Sequence, residues 1–228
     1  MARRYLITGG AGFIGSNFIR RVLDQEPDAA VTNLDAMTYA GVPATVAELD
    51  ELPGHTFIKG DIRDASLVDE VVPGHDVVVH FAAESHVDRS IPGPAVFLET
   101  NVVGTGVLLE AAHRHQIPRF VHVSTDEVYG SIADGFASET ALLNPSSPYS
   151  SSKAGSDLLA LSYATTYGYD VVVTRCTNNY GPYQFPEKVI PLFVTKLLEG
   201  QKVQVYGGGG TKRDWLFVAP AKRGEPLS

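Results

Sequence analysis

The chain has 228 residues, 44% apolar and 19% charged, which suits a globular protein with one good-sized core or one domain plus part of a second. Eighteen Lys and Arg against 26 Asp and Glu give a net charge of −8, which argues against nonspecific nucleic-acid binding. The lone Cys176 excludes an internal disulfide, the apolar run after Met1 is too short for a signal peptide, and no stretch of about 18 consecutive apolar residues predicts a membrane span, so a cytoplasmic protein is expected.

Tyr5-Leu-Ile-Thr8 is a short apolar run, and Gly9-Gly-Ala-Gly-Phe-Ile-Gly15 follows at once. Ile14, Phe18, Ile19, Val22 and Leu23 then recur at helical spacing up to Pro27. Strand, glycine turn and helix form the setting in which a dinucleotide pyrophosphate meets a helix N-terminus and a closely approaching backbone. Two frames fit this fingerprint, Gly9, Gly12, Gly15 and Gly10, Gly12, Gly15. Ala30–Leu34 reads as a second strand ending on Asp35, 20 residues past Gly15. A carboxylate there accepts hydrogen bonds from ribose hydroxyls and repels a 2′-phosphate, which favours NAD over NADP.

Ala44–Leu52 predicts a short helix and His55–Lys59 a third strand. Asp61, in Gly60-Asp61-Ile62, either faces an adenine edge or serves as a turn carboxylate. Asp64 suits the N-cap of a helix over Ala65–Val72, which Pro73-Gly74 ends. Asp76–Phe81 is the near-continuous apolar strand of a parallel sheet, and Ala82-Ala83 after it are small enough for a ligand to lie against the backbone. A long helix is expected over Ala95–His115, and a fifth strand over Arg119–Ser124. This alternation predicts an α/β fold, a doubly wound parallel sheet of Rossmann type, with its ligand crevice at the carboxyl ends of the strands.

Beyond a Ser-, Asn- and Pro-rich loop over Ser131–Pro148, a helix is expected from Tyr149 to Tyr167 and a sixth strand over Tyr169–Cys176. Thr177–Pro182 reads as a turn, Pro186–Leu198 as a helix, Val203–Tyr206 as a strand and Gly207–Gly210 as a hinge or turn. Tyr149 and Lys153 stand four apart, on one helix face. A free phenol titrates near 10, so its use as a base at neutral pH needs a shift of roughly three units, which a nearby ammonium and a positive nicotinamide ring would supply. The strand-five terminus adds Thr125, Asp126 and Glu127, a hydroxyl beside two carboxylates. Paired carboxylates in unlike environments divide acid and base roles. In a straight strand Asp126 would point away from Thr125 and Glu127, so a backbone turn at Asp126 is predicted, bringing both acids to the cleft. His80, His86 and His122 show no metal-ligand spacing, and no metal is expected.

Thr8–Asn17, Asn33–Gly41, His80–Ile91, Phe120–Gly130, Ser147–Leu159, Thr174–Phe193 and Arg213–Leu216 together resemble the extended short-chain dehydrogenase/reductase family, and within it the dTDP-glucose 4,6-dehydratase branch. The most specific stretches are Ser124-Thr-Asp-Glu-Val-Tyr-Gly130 and Asn178-Asn-Tyr-Gly-Pro-Tyr-Gln-Phe-Pro-Glu-Lys188. The resemblance implies a retained NAD, with Tyr149 taking the proton of the sugar 4-hydroxyl and Lys153 holding the ribose and lowering the Tyr149 pKa. Thr125 would bond the 4-oxygen, Glu127 remove the C5 proton and Asp126 protonate the departing 6-hydroxyl. It places Phe13, Ile14, Ala36, Thr38, Ile62, Ser85 and Thr100 along the cofactor and Ser85, Asn178, Lys188 and Arg213 against a nucleotide-sugar. It also implies a homodimer through the helices Ala95–His115 and Tyr149–Tyr167.

Two departures stand out. Val42 replaces the Asn that the family has after Thr38-Tyr-Ala-Gly41, and the segment from Arg213 runs into an atypical tail over residues 219–228. The expectation is a dinucleotide domain over residues 1–176 and an incomplete, truncated nucleotide-sugar domain over residues 177–228. The alternatives are a related 4-epimerase, against which the Asp126-Glu127 pair argues, and an NAD-binding remnant without turnover.

Overall fold

A computed structural model describes residues 2–132, 134–205, 210 and 212–218. Six strands form one fully parallel sheet: β1 (Arg4–Thr8), β2 (Ala30–Asp35), β3 (His55–Lys59), β4 (Val77–His80), β5 (Arg119–Thr125) and β6 (Val171–Cys176). Their spatial order is β3-β2-β1-β4-β5-β6, the doubly wound arrangement, whose order reverses between β1 and β4. The α/β class and parallel Rossmann-type sheet expected from the sequence are what the chain adopts.

The apolar runs dictate this burial. Leu6 and Ile7 are neighbours on β1, so their side chains leave opposite faces of the sheet. Leu6 joins Leu34, Val78, Leu108, Leu109 and Phe120 in a core on one face, beneath α3 (Ala65–Val71), α6 (Thr105–Arg114) and α7 (Pro148–Tyr167). Ile7 joins Ile19, Val31, Leu49 and Val79 on the other, beneath α1 (Phe13–Gln25) and α2 (Pro43–Asp50). Asp64 caps α3, accepting from the main-chain N–H groups of Ser66 and Leu67. Ser147 and Ser150 close a reciprocal capping box on α7, with Pro148 in its first turn, and so fix the entry of the helix that carries Tyr149.

The expected helix Ala95–His115 is instead a composite. After a single turn, α4 (Val87–Ser90), come α5 (Pro94–Phe97), a wider π-helical stretch over Leu98–Gly104, and α6. An extra residue per turn in the middle re-aims Asn101, whose Nδ2 donates to the Glu84 carbonyl at 3.0 Å and to Ser152 Oγ at 2.8 Å. Pro94–Arg114 is long and apolar enough to cross a membrane by length and composition, but it packs against α3 and α7 and lends Leu108 and Leu109 to the core.

After β6 the chain forms β7 (Asn178–Tyr180) and α8 (Val189–Leu198), where Pro191 sits in the first turn and needs no N–H partner. β8 (Trp215–Phe217) pairs in parallel with β7 in a separate two-stranded sheet. The strand expected over Val203–Tyr206 does not form at 203–205, which pair with nothing in either sheet; Tyr206, residues 207–209 of the expected hinge and the tail 219–228 lie outside the described residues.

Candidate active site

The carboxyl ends of the parallel strands open on a cavity of about 400 Å³. The glycine turn after β1 forms its floor, with Gly9, Gly12, Phe13, Ile14 and Gly15. Gly9 takes φ +75°, and a Cβ there would lie 2.6 Å from the Ala82 nitrogen; a Cβ on Gly15 would run into the Gly9 carbonyl. Backbone this close to its neighbours leaves a smooth, donor-rich surface at the start of α1. Asp35, Ala36 and Thr38 follow β2, Asp61 and Ile62 follow β3, and Ala82, Ala83 and Ser85 follow β4; all line the same cavity, as does Thr100 in the π-helical stretch.

Asp35 accepts from the Ala11 N–H at 3.0 Å and from the Met37 N–H at 2.8 Å. Burial raises its pKa, while these two main-chain donors act in the opposite direction. Each carboxylate oxygen keeps acceptor capacity for the cavity, which suits a ribose diol. Asp61 is gripped by Arg63 through the main-chain N–H at 2.9 Å and Nη2 at 2.6 Å and also lines the cavity, so its place suits both a turn carboxylate and a ligand edge. That grip lowers its pKa.

Across the cavity stand Thr125, Glu127, Tyr149 and Lys153. The backbone turns at Asp126 into a 3₁₀ turn over Asp126–Tyr129, where the Thr125 hydroxyl oxygen accepts from the Glu127 N–H at 3.3 Å. The same hydroxyl donates to Asp126 Oδ1 at 3.3 Å. The backbone turn expected at Asp126 is therefore present. Glu127 lines the cavity, and Asp126, outside the lining itself, acts through its charge on Glu127 and Tyr149, which belong to that lining. Burial is the main cause of the raised Glu127 pKa, with Asp126 adding to it and Arg213 and Lys188 opposing.

Tyr149 is buried, and its phenol is within hydrogen-bonding reach of Thr125. Burial, then the Glu127 carboxylate, push its pKa well above the ordinary phenol range, and the Thr125 contact only partly offsets them. Lys153 follows one turn later on the same face of α7. Its Nζ donates to the Val123 carbonyl at 2.9 Å, and burial brings its own pKa down to about 8. Beneath it His80 bridges Thr8 and Thr105 at 2.7 and 2.9 Å, and His122 meets Ser156 at 3.0 Å. Burial lowers both imidazoles, His122 to about 4, so they stay neutral near the ammonium. Among the described residues no group of three His, Cys, Asp or Glu is placed to hold a metal.

Asn178 and Lys188 line the far end of the cavity, whereas Arg213 is exposed and outside its lining. Sequence reasoning missed Cys176, the last residue of β6, which lines the cavity. The rule that strand termini border the crevice would have found it. It also missed Tyr39 and Phe185, which meet edge to face at 6.1 Å over the cavity rim, a contact between segments far apart in the chain.

Sheet order, glycine cradle and a Tyr-x-x-x-Lys helix beside it define a Rossmann protein of the extended short-chain dehydrogenase/reductase class. A profile described as GDP-mannose 4,6 dehydratase matches residues 6–222, and the chain belongs to that family. A dTDP-glucose 4,6-dehydratase of Streptomyces niveus is 56% identical over 220 residues, 95% of this chain and 66% of the relative. The crystal structure of DesIV, a dTDP-glucose 4,6-dehydratase of Streptomyces venezuelae with NAD and TYD bound, is similar with a TM-score of 0.90 at 56% identity, covering 94% of this chain and 68% of that one. A UDP-glucose 4-epimerase of Thermotoga maritima with UDP-glucose is similar with a TM-score of 0.86 at 29% identity, covering 94% and 69%. The chain spans about two thirds of the length of the curated relatives it matches, 66% and 64% for two of them.

Proposed function

We propose that this chain carries the NAD site and catalytic groups of a dTDP-glucose 4,6-dehydratase. The observation that carries the reading is the convergence of Thr125, Glu127 and Tyr149 on the cavity that the glycine turn and Asp35 also line. The residues fit the cofactor: a glycine-rich turn for the pyrophosphate and an Asp35 carboxylate with free lone pairs for the ribose. When bound, NAD would accept hydride from the sugar C4 and return it at C6.

Tyr149 would exchange the proton of the 4-hydroxyl, with Thr125 fixing the same oxygen. Lys153 is placed to hold the nicotinamide ribose, and breaking its bond to the Val123 carbonyl would free a donor for that purpose. Glu127 is a half-buried carboxylate whose raised pKa makes its ionised form a stronger base for the C5 proton. Asp126, whose charge already acts on Glu127 and Tyr149, would protonate the departing 6-hydroxyl. Asn178 and Lys188 would meet the nucleotide-sugar in the cavity, and Arg213 would approach from its margin.

In this reading residues 1–176 hold the dinucleotide and residues 177–228 begin the nucleotide-sugar part. Exposed Leu98 and Val103, with Leu158 and Leu161 of α7, support a homodimer packed through these helices, which sedimentation would test. The activity test is incubation with NAD and dTDP-glucose, followed by the alkaline absorbance of a 4-keto-6-deoxy product. Retained NAD without product would overturn the dehydratase reading.

A further inference from the structure

We infer that Arg175 is a positioning residue that locks the acid-bearing turn Asp126–Tyr129 to the helix carrying Tyr149 and Lys153. The inference rests on the dehydratase reading for its catalytic consequence, but its geometry stands alone.

Asp157 lies one helical turn beyond Lys153 and two beyond Tyr149, so the three share one stripe of α7. Its carboxylate is fully buried and accepts from Arg175 Nε at 2.8 Å. The guanidinium then reaches across to the end of the turn. Nη1 donates to the Tyr129 hydroxyl at 2.8 Å and to the Glu139 carbonyl at 3.3 Å, and the cation lies 5.2 Å from the centre of the Tyr129 ring. His122 of β5 faces the same carboxylate at 3.3 Å. The path Asp157–Arg175–Tyr129 therefore ties α7, β6 and the turn into one unit, and none of the three residues lines the cavity.

A buried ion pair is a poor source of net stability, because desolvation offsets most of its attraction. What a planar guanidinium fork supplies is direction. The turn gains from it, because its other ties are mostly local or long: 3.3 Å bonds from the Glu127 N–H to Thr125 and from the Thr125 hydroxyl to Asp126, the Gly130 N–H to the Glu127 carbonyl at 3.1 Å, and, from outside, the Asn144 N–H to the Val128 carbonyl at 2.9 Å. Glu127 must hold its place relative to Tyr149 when the C5 proton leaves, whereas hydride departure from C4 depends mainly on Tyr149, Thr125, Lys153 and the cofactor cradle. Loosening the lock should thus slow elimination more than oxidation.

Tyr129→Phe keeps the ring and removes the hydroxyl, and Arg175→Lys keeps the charge and removes the fork. In both, amide hydrogen exchange over residues 126–130 is expected to quicken about tenfold, with residues 149–157 unchanged. On mixing with NAD and dTDP-glucose, NADH formation should stay within about twofold of wild type, while product formation falls about tenfold or more and NADH accumulates. Unchanged exchange at 126–130, or equal loss of both steps, overturns the inference. If the wild-type chain forms neither NADH nor product, the dehydratase reading fails, and the exchange measurement alone decides the lock.

Discussion

The Glu127 carboxylate opposes ionisation of the Tyr149 phenol: after burial, it is the largest influence holding that proton in place. A carboxylate that faces the cavity and a phenol that must yield its proton are thus coupled, and the charge of one sets the readiness of the other.

Glu127→Gln removes that coupling and the proposed C5 base together. NADH formation from dTDP-glucose should persist while product formation drops about 10²–10⁴-fold, the usual loss for a missing general base. The Glu127 pKa is raised by folding, so the stability it contributes is full below the unfolded carboxylate pKa and declines as pH rises through the folded one. At neutral pH the buried charge is therefore a cost, and Glu127→Gln should melt at a higher temperature than wild type. A lower melting temperature would contradict the assignment of Glu127 to a desolvated site.

Lys153→Met should separate stability from activity. Folding depresses this ammonium from 10.5 to about 8, so the unfolded chain binds the proton more tightly between those values. Stability from this group thus rises as pH climbs from about 8 to 10.5, and at pH 7 the full penalty applies. Removing it should raise stability by roughly 1–2 kcal/mol at pH 7, after the lost bond to Val123 is subtracted. The gain should vanish by pH 10, as chemical denaturation at both pH values would reveal, and NADH formation should be lost.

Gly15→Ala tests the cradle. The new methyl has no room beside the Gly9 carbonyl, and the turn must shift. Isothermal titration should show NAD affinity falling about tenfold or more, with a stability loss of roughly 1–3 kcal/mol from overpacking.

Asp35→Asn would keep the shape but lose the charge that the Ala11 and Met37 N–H groups face. The ratio of NAD to NADP affinity should fall by about tenfold, since repulsion of a 2′-phosphate is removed. An unchanged ratio would show that Asp35 does not read the ribose.

The fold was legible because its signals are local. Gly9–Gly15 needs only its own residues to announce a tight turn, and Val77–His80 only its β-branched run to announce a buried strand. The site was legible in position, since each strand end from Thr8 to Thr125 opens on the same crevice. What escaped the sequence depends on contacts across the chain. The π-helical stretch leaves the apolar spacing of Ala95–His115 almost intact, yet it aims Asn101 at Glu84 and Ser152. β7 and β8 join residues 178–180 to 215–217, a pairing no local pattern encodes. Nor does a local pattern encode the bond from the Lys153 ammonium to the Val123 carbonyl, or the burial that dominates the Tyr149 phenol.

The most direct measurement follows the migrating hydride itself. dTDP-glucose carrying deuterium at C4 is incubated with this chain and NAD, and the product is read by NMR. Deuterium recovered at C6 of a 4-keto-6-deoxy sugar, with solvent hydrogen at C5, is the predicted result. Deuterium that stays at C4, or an epimerised sugar with no loss of water, would contradict the account.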